Sequence, residues 1–153
     1  MRSLCFKTTF AALTGYDPLP WQVRLFGRLL DGDIPAACDL PTGLGKTAVI
    51  PIWLIELAAT SSVSQLPRRL IYIVNRRTVV DQATDVTKQL YGLLSVTDEM
   101  QDDAARENLL QMRQALRRLS ALGSDMLVAI STLRGELADN QEWKADPLLP
   151  FKA

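Results

Sequence analysis

The sequence contains no histidine, only two cysteines and no excess of either charge, and each shortage excludes a class of function. Without histidine, imidazole-dependent catalysis and histidine-containing metal sites are excluded within this chain. Cys5 and Cys38 lack metal-type spacing, so we expect two buried free thiols in a reducing cytoplasm rather than a disulfide. Lys plus Arg and Asp plus Glu each total 17, so any contact with nucleic acid must come from a local patch.

The sequence also lacks long apolar runs and a secretory signal. The longest apolar runs are too short to cross a bilayer, and the first residues lack the basic, apolar and small-residue series of a signal peptide. We therefore expect a cytoplasmic protein without a membrane partner. Its 153 residues, 48% of them apolar, are enough to bury one core.

The strongest motif present is a glycine-interrupted loop, LPTGLGKT, at residues 40–47. The short run 34–39 before it is bounded by turn residues and predicts a buried strand, and the apolar run 48–57 after it predicts a helix. Strand, glycine-rich loop and helix together form a phosphate-binding unit. A chance glycine turn between a strand and a helix is the alternative, and Leu40 stands where the general pattern begins with glycine.

The residue types in this loop suit the phosphates of a nucleotide. Gly43 and Gly45 let backbone N–H groups converge without Cβ atoms in the way. Lys46 adds a full charge at the start of the helix, and Thr47 offers a hydroxyl to Mg²⁺. We therefore predict a site for ATP and Mg²⁺, with Lys46 and Thr47 as its catalytic residues and Thr47 as its metal ligand. The predicted nucleotide contacts are Pro41, Thr42, Gly43, Leu44, Gly45, Lys46 and Thr47.

Gln22 precedes this loop and is a candidate for reading the base. Pro20 suits a first helical position, and the helix it opens is predicted to run to Gly32. A carboxamide can accept from the adenine amino group and donate to a ring nitrogen, so Gln22 is a plausible adenine contact. A solvated glutamine at a helix start is the alternative.

Two further apolar runs, 70–74 and 126–130, predict strands, and each is followed by basic and hydroxyl residues. Cations at a helix N-terminus cost a few tenths of a kcal/mol each, which suggests a compensating anion such as nucleic-acid phosphate. Arginines paired with surface carboxylates and a plain capping turn are the alternatives. The predicted nucleic-acid contacts are Arg76, Arg77, Thr78, Thr132 and Arg134.

Alternation of strands and helices predicts an α/β fold with a parallel sheet and right-handed crossovers. We divide the chain into an N-terminal helical segment at 1–33, an ATP-binding lobe at 34–136 and an irregular tail at 137–153. A helix is predicted over 104–122, and its apolar stripe indicates core packing. The stripe consists of Ala105, Leu109, Met112, Leu116 and Leu119.

Four motifs occur in order: PWQ at 20–22, PTGLGKT at 41–47, NRRTVVDQA at 75–83 and STLRGE at 131–136. The series resembles the first RecA-like lobe of superfamily 2 helicases. The last two motifs, with their flanks, look like the helicase of type I CRISPR systems. The resemblance implies a partial RecA-like lobe that uses ATP and Mg²⁺, binds single-stranded DNA and works with the CRISPR surveillance complex.

The same resemblance implies residue roles and shows what is missing. It assigns Gln22 to adenine, residues 76–78 to a first single-strand contact, and Thr132 with Arg134 to a second. No acidic motif of the Asp-Glu-x-His or Asp-Glu-x-Asp type follows Arg134, and the second lobe with its arginine finger is missing too. The sequence looks like the front third of a helicase, whether by truncation, frameshift or a split gene.

The expected function is therefore that of the ATP-binding N-terminal portion of an ATP-dependent DNA helicase in antiviral defence, without turnover on its own. One alternative is another superfamily 2 translocase, such as a restriction-enzyme motor. The other is a non-catalytic nucleotide-binding fragment that needs a partner.

Overall fold

The computed structural model describes residues 4–60, 66–95, 102–119, 127, 130, 132–134 and 137–138. Within these residues the chain forms five α-helices, one 3-10 turn at Lys46–Ala48 and one short hairpin. The helices are α1 (Phe6–Thr14), α2 (Pro20–Leu30), α3 (Val49–Ala59), α4 (Arg77–Ser95) and α5 (Asp103–Leu119).

The helix ends follow local signals in the sequence. Gly15 closes α1 in the left-handed conformation, at φ 78°, where its N–H donates to the carbonyl of Ala11. Pro20 is the first residue of α2, where a missing N–H costs nothing. The carboxylate of Asp102 accepts from the backbone N–H of Ala104 at 2.9 Å and caps α5. The predicted helix that opens at Pro20 is confirmed.

Helix α3 is the centre of the molecule. All nine residues from 50 to 58 are buried, so the helix has no solvent face along that length. Helices α1, α2 and α5 all pack against it. Pro51 lies in the first turn of α3, where its missing N–H removes no helical hydrogen bond.

The surrounding helices contribute one apolar stripe each. Helix α5 buries the five residues of its predicted stripe, from Ala105 to Leu119, so that prediction is confirmed. In α1 and α2 the buried apolar residues are Phe6, Phe10, Leu13, Trp21, Leu25, Phe26 and Leu29. The rings of Phe6 and Phe26 stack with centroids 4.1 Å apart, which joins α1 to α2. A single core thus forms around α3.

The predicted α/β fold is wrong: the described part of the chain is helical and contains no parallel sheet. Residues 34–39 form no strand, and Ile34 and Cys38 are exposed. Residues 70–74 form no strand and pair with no other strand among the described residues. The third predicted strand, 126–130, falls largely outside the described residues, since only Leu127 and Ile130 belong to them.

The resemblance to a RecA-like lobe is overturned by the same observation. A RecA-like lobe is built on a parallel sheet with helices on both faces, whereas here α3 occupies the centre and helices surround it. The strand pairing that the described residues do show is antiparallel and very short. It joins β1 (Leu133–Arg134) to β2 (Leu137–Ala138). The physical reason is that a strand needs a hydrogen-bonded neighbour, which runs 34–39 and 70–74 do not find.

Among the described residues, no helix is both long enough and apolar enough to span a membrane.

Candidate nucleotide-binding site

The glycine loop has the backbone conformation that its glycines permit. Gly43 and Gly45 adopt positive φ angles of 90° and 65°, a region in which side chains with a Cβ are strained. The 3-10 turn at Lys46–Ala48 follows directly, with the N–H of Ala48 donating to the carbonyl of Gly45 at 2.9 Å. The loop therefore leads into the N-terminus of α3, as the sequence predicts for this end of the loop.

Two contacts join the chain between α2 and α3 to α2. The indole Nε1–H of Trp21 donates to the carbonyl oxygen of Leu44 at 3.1 Å. At the other end of α2, Arg28 Nε donates to Asp33 Oδ2 at 2.7 Å, and this hydrogen bond lowers the pKa of the Asp33 carboxyl. The chain between α2 and α3 thus starts from a closed turn and is held again at Leu44.

Gln22 lies directly beside the loop. Its side chain is only 5% exposed, and its Oε1 accepts a hydrogen bond of 2.7 Å from the backbone N–H of Leu19. Its Nε2 faces Gly45: a Cβ placed on that glycine would lie 3.6 Å from it. Among the described residues Nε2 forms no hydrogen bond, so the carboxamide keeps a donor for a ligand while its oxygen caps α2.

A cavity of about 680 Å³ opens at this point between the loop, the start of α3 and helices α1, α2 and α4. Gln22, Gly43 and Gly45 line it directly, while Lys46 is exposed and Thr47 is half-buried beyond its edge. The volume is within the range of about 300–1,000 Å³ that small-molecule sites occupy. The cavity joins a mostly apolar interior to a loop suited to phosphate.

Several lining residues were missed by the sequence reasoning. They come from helices α1 and α4 and from the turn after α1, and they are Phe10, Leu13, Tyr16, Asp17, Val86, Gln89 and Leu90. Tyr16 is the most informative of them, because its ring is 77% exposed at the cavity. An exposed aromatic residue directly after the Gly15 cap was the available sequence signal.

The predicted nucleic-acid residues are not gathered around this cavity. Arg76 and Thr78 are exposed at the start of α4, and the side chains of Arg77 and Arg134 lie outside the described part. Thr132 is buried, with its hydroxyl 2.9 Å from that of Thr84 on α4. Binding of nucleic acid by these residues stays a prediction.

The described residues contain no group suited to a metal ion, and their two cysteines form no disulfide. No group of three or more His, Cys, Asp or Glu residues is close enough there to hold a metal ion. Both cysteines are free, as expected, but both are exposed rather than buried as predicted, because Cys5 precedes α1 and Cys38 lies in the loop between α2 and α3.

Comparison of the chain with protein-family models, curated proteins and solved structures found no match.

Proposed function

We propose that this chain binds ATP, with the adenine in the cavity beside Gln22 and the phosphates on the loop at residues 41–47. The observation that carries the proposal is the approach of Gln22 to Gly45, two positions far apart in sequence whose atoms lie 3.6 Å apart once a Cβ is placed on the glycine. If one nucleotide contacts both Gln22 and the loop, the two must lie close together, and their proximity supports the proposal.

The chemistry of the cavity suits the base of ATP, and the chemistry of the loop suits its phosphates. Apolar side chains from α1 and α4 line the cavity, which suits a purine ring. The Nε2 donor of Gln22 suits a purine ring nitrogen. At the loop, the positive φ angles of Gly43 and Gly45 allow close approach of the backbone, and Lys46 supplies a positive charge.

Mg²⁺ fits the proposal as a companion of the nucleotide. Thr47 is the side chain that would share it with the phosphates, since the described residues bring no acidic cluster to the loop. When bound, the ion would neutralise part of the phosphate charge. A cytoplasmic location suits the proposal, because free thiols persist in a reducing compartment.

Titration of the purified chain with ATP in the presence of Mg²⁺, followed by calorimetry, tests the proposal. Lys46→Ala removes the loop charge and should weaken binding at least tenfold, because charge-assisted contacts to phosphate are worth about 1.5–3 kcal/mol. Lys88→Ala, at an exposed lysine on α4, is the matched control and should leave the affinity unchanged. Equal affinities for ATP in all three proteins would exclude the loop as the phosphate site.

Gln22→Glu isolates the base contact. The substitution keeps the oxygen that accepts from Leu19 and removes the Nε2 donor, so α2 keeps its cap while adenine loses a partner. We expect ATP to bind more weakly and GTP to change less. Loss of both nucleotides to the same extent would show that Gln22 does not read the base.

We propose further that the chain by itself does not turn ATP over, with or without single-stranded DNA. The sequence supplies no acidic motif after Arg134 to hold the metal and orient water. A steady-state ATPase assay with single-stranded DNA checks this. Turnover that Lys46→Ala abolishes would contradict a non-catalytic role.

A further inference from the structure

We propose that residues 70–74 form a docking edge for an extended segment of a partner protein, which has an apolar, β-branched centre and acidic residues at its ends. None of residues 70–74 lines the nucleotide cavity, and the proposal does not depend on nucleotide binding.

The side chains of the docking edge alternate as those of a half-buried strand do. Leu70 and Tyr72 are half-buried and pack against the core. Ile71 and Ile73, between them, are 77% and 86% exposed. A period of two is the pattern of an extended chain with one face on a core. The second face therefore presents two large aliphatic side chains to the outside.

The backbone of the docking edge is also unpaired. None of the N–H or C=O groups of residues 70–74 forms a hydrogen bond within the described part of the chain. A row of free peptide groups beside β-branched side chains is the template to which another extended chain adds. The occupant that satisfies such an edge is an extended polypeptide, because a helix has no free peptide groups along its length to pair with it.

Charge decides which polypeptide fits. Exposed Arg68 precedes the edge, and exposed Arg76 follows it. Arg68 Nη1 donates to the carbonyl oxygen of Leu119 at 3.4 Å, so the C-terminal end of α5, with exposed Arg118, lies at the same end. Both ends of the edge are thus positively charged.

A second copy of this chain fits such a surface poorly. Antiparallel pairing of residues 70–74 with themselves would set Arg68 against Arg76, and parallel pairing would set each arginine beside its own copy. Nucleic acid fits poorly too, because Ile71 and Ile73 offer aliphatic groups where single strands need aromatic surfaces for base stacking. An extended apolar segment with acidic ends can pair both with the free peptide groups of the edge and with the arginines at its ends.

The test uses the full chain and a fluorescent nonapeptide, Glu-Asp-Val-Thr-Val-Thr-Val-Asp-Glu, in anisotropy titrations. Two matched peptides carry either lysine at all four acidic positions or N-methyl groups on alternate amides along one edge. We expect the acidic peptide to bind at least tenfold more tightly than either. Hydrogen exchange should show protection of the amides of residues 71–74 on binding. Equal binding of the lysine peptide, or of the N-methylated one, would overturn the proposal.

Variants of the chain locate the site. Ile71→Thr combined with Ile73→Thr keeps β-branched residues but removes apolar contact, and should weaken binding about tenfold. Ile34→Thr is the control, since Ile34 is also exposed but lies elsewhere in the chain. Arg76→Glu combined with Arg118→Glu should reverse the preference between the acidic and lysine peptides, whereas Arg24→Glu on α2 should not.

Two other outcomes would also overturn the proposal. If the amides of residues 71–74 become protected as the concentration of the chain alone rises, the occupant is a second copy. If a single-stranded oligonucleotide displaces the acidic peptide from the wild-type chain, the surface binds nucleic acid instead.

Discussion

Helix α3 and the docking edge at residues 70–74 are both short apolar runs, yet they are buried to different extents. Helix α3 is buried on every side over nine residues. The docking edge buries one side only, and leaves Ile71 and Ile73 outside. Hydropathy does not explain this, since isoleucine and leucine dominate both runs.

The difference lies in the backbone. A helix satisfies its own N–H and C=O groups, so α3 can enter the core without leaving polar groups unpaired. An extended segment needs a neighbour for the same groups, and an unpaired amide in an apolar core costs about 1–3 kcal/mol. Residues 70–74 have no such neighbour in the described chain, so they stay at the surface.

Truncation of one isoleucine in each region should give the largest contrast. Ile55 in α3 is fully buried, so Ile55→Ala should reduce the free energy of unfolding by about 2–5 kcal/mol through lost burial and the cavity left behind. Ile71→Ala removes an exposed side chain and should change it by less than about 0.5 kcal/mol. Urea denaturation measures both. Equal losses would mean that residues 70–74 are buried in solution.

Two glycines sharpen the contrast between helical and non-helical backbone. Gly15 caps α1 at a φ of 78°, so Gly15→Ala forces alanine into a strained conformation and should cost about 1 kcal/mol. Gly27 lies inside α2, where an added Cβ meets nothing within 4 Å. Gly27→Ala should therefore stabilise the protein by about 0.4–1 kcal/mol. Thermal unfolding checks the opposite signs, and two changes of the same sign would contradict the placement of one of these glycines.

The smallest expected effect is a change in the reactivity of Cys5 relative to that of Cys38. Cys5 precedes α1, and the hydroxyl of Thr8 donates to its Sγ at 3.4 Å, which lowers the pKa of the thiol. A lower pKa means more thiolate at neutral pH, so Thr8→Val should slow alkylation of Cys5 by iodoacetamide about two- to fivefold.

Cys38, in the loop between α2 and α3, is the internal control, because its rate should not respond to Thr8→Val. Mass spectrometry of the alkylated chain measures both rates over a range of pH. The pH midpoint for Cys5 should rise in the variant, and an unchanged midpoint would show that Thr8 does not influence this thiol.

Local signals in the sequence were enough to place the helices. Proline at position 20 and the apolar stripe of α5 each act within a few residues, and the structure contains the helices that they predict. The same kind of reasoning failed for residues 34–39 and 70–74. Apolar β-branched residues favour an extended chain, but a strand also needs a partner that local sequence cannot supply.

For the candidate site, the sequence identified the loop and Gln22 but not the cavity between them. The glycines could be found because positive φ angles demand that residue type. The cavity walls could not, because Tyr16, Val86 and Leu90 are ordinary residues that meet only when α1 and α4 pack around the loop.

By itself, then, the sequence determined where the chain forms helices and where its glycines take positive φ angles, since each depends on a few neighbouring residues. Tertiary structure decided the rest: that α3 rather than a sheet fills the centre, that Gln22 reaches Gly45, and that residues 70–74 remain unpaired. These outcomes depend on which residues far apart in the sequence pack together and form hydrogen bonds. Those contacts are fixed only when the whole chain folds.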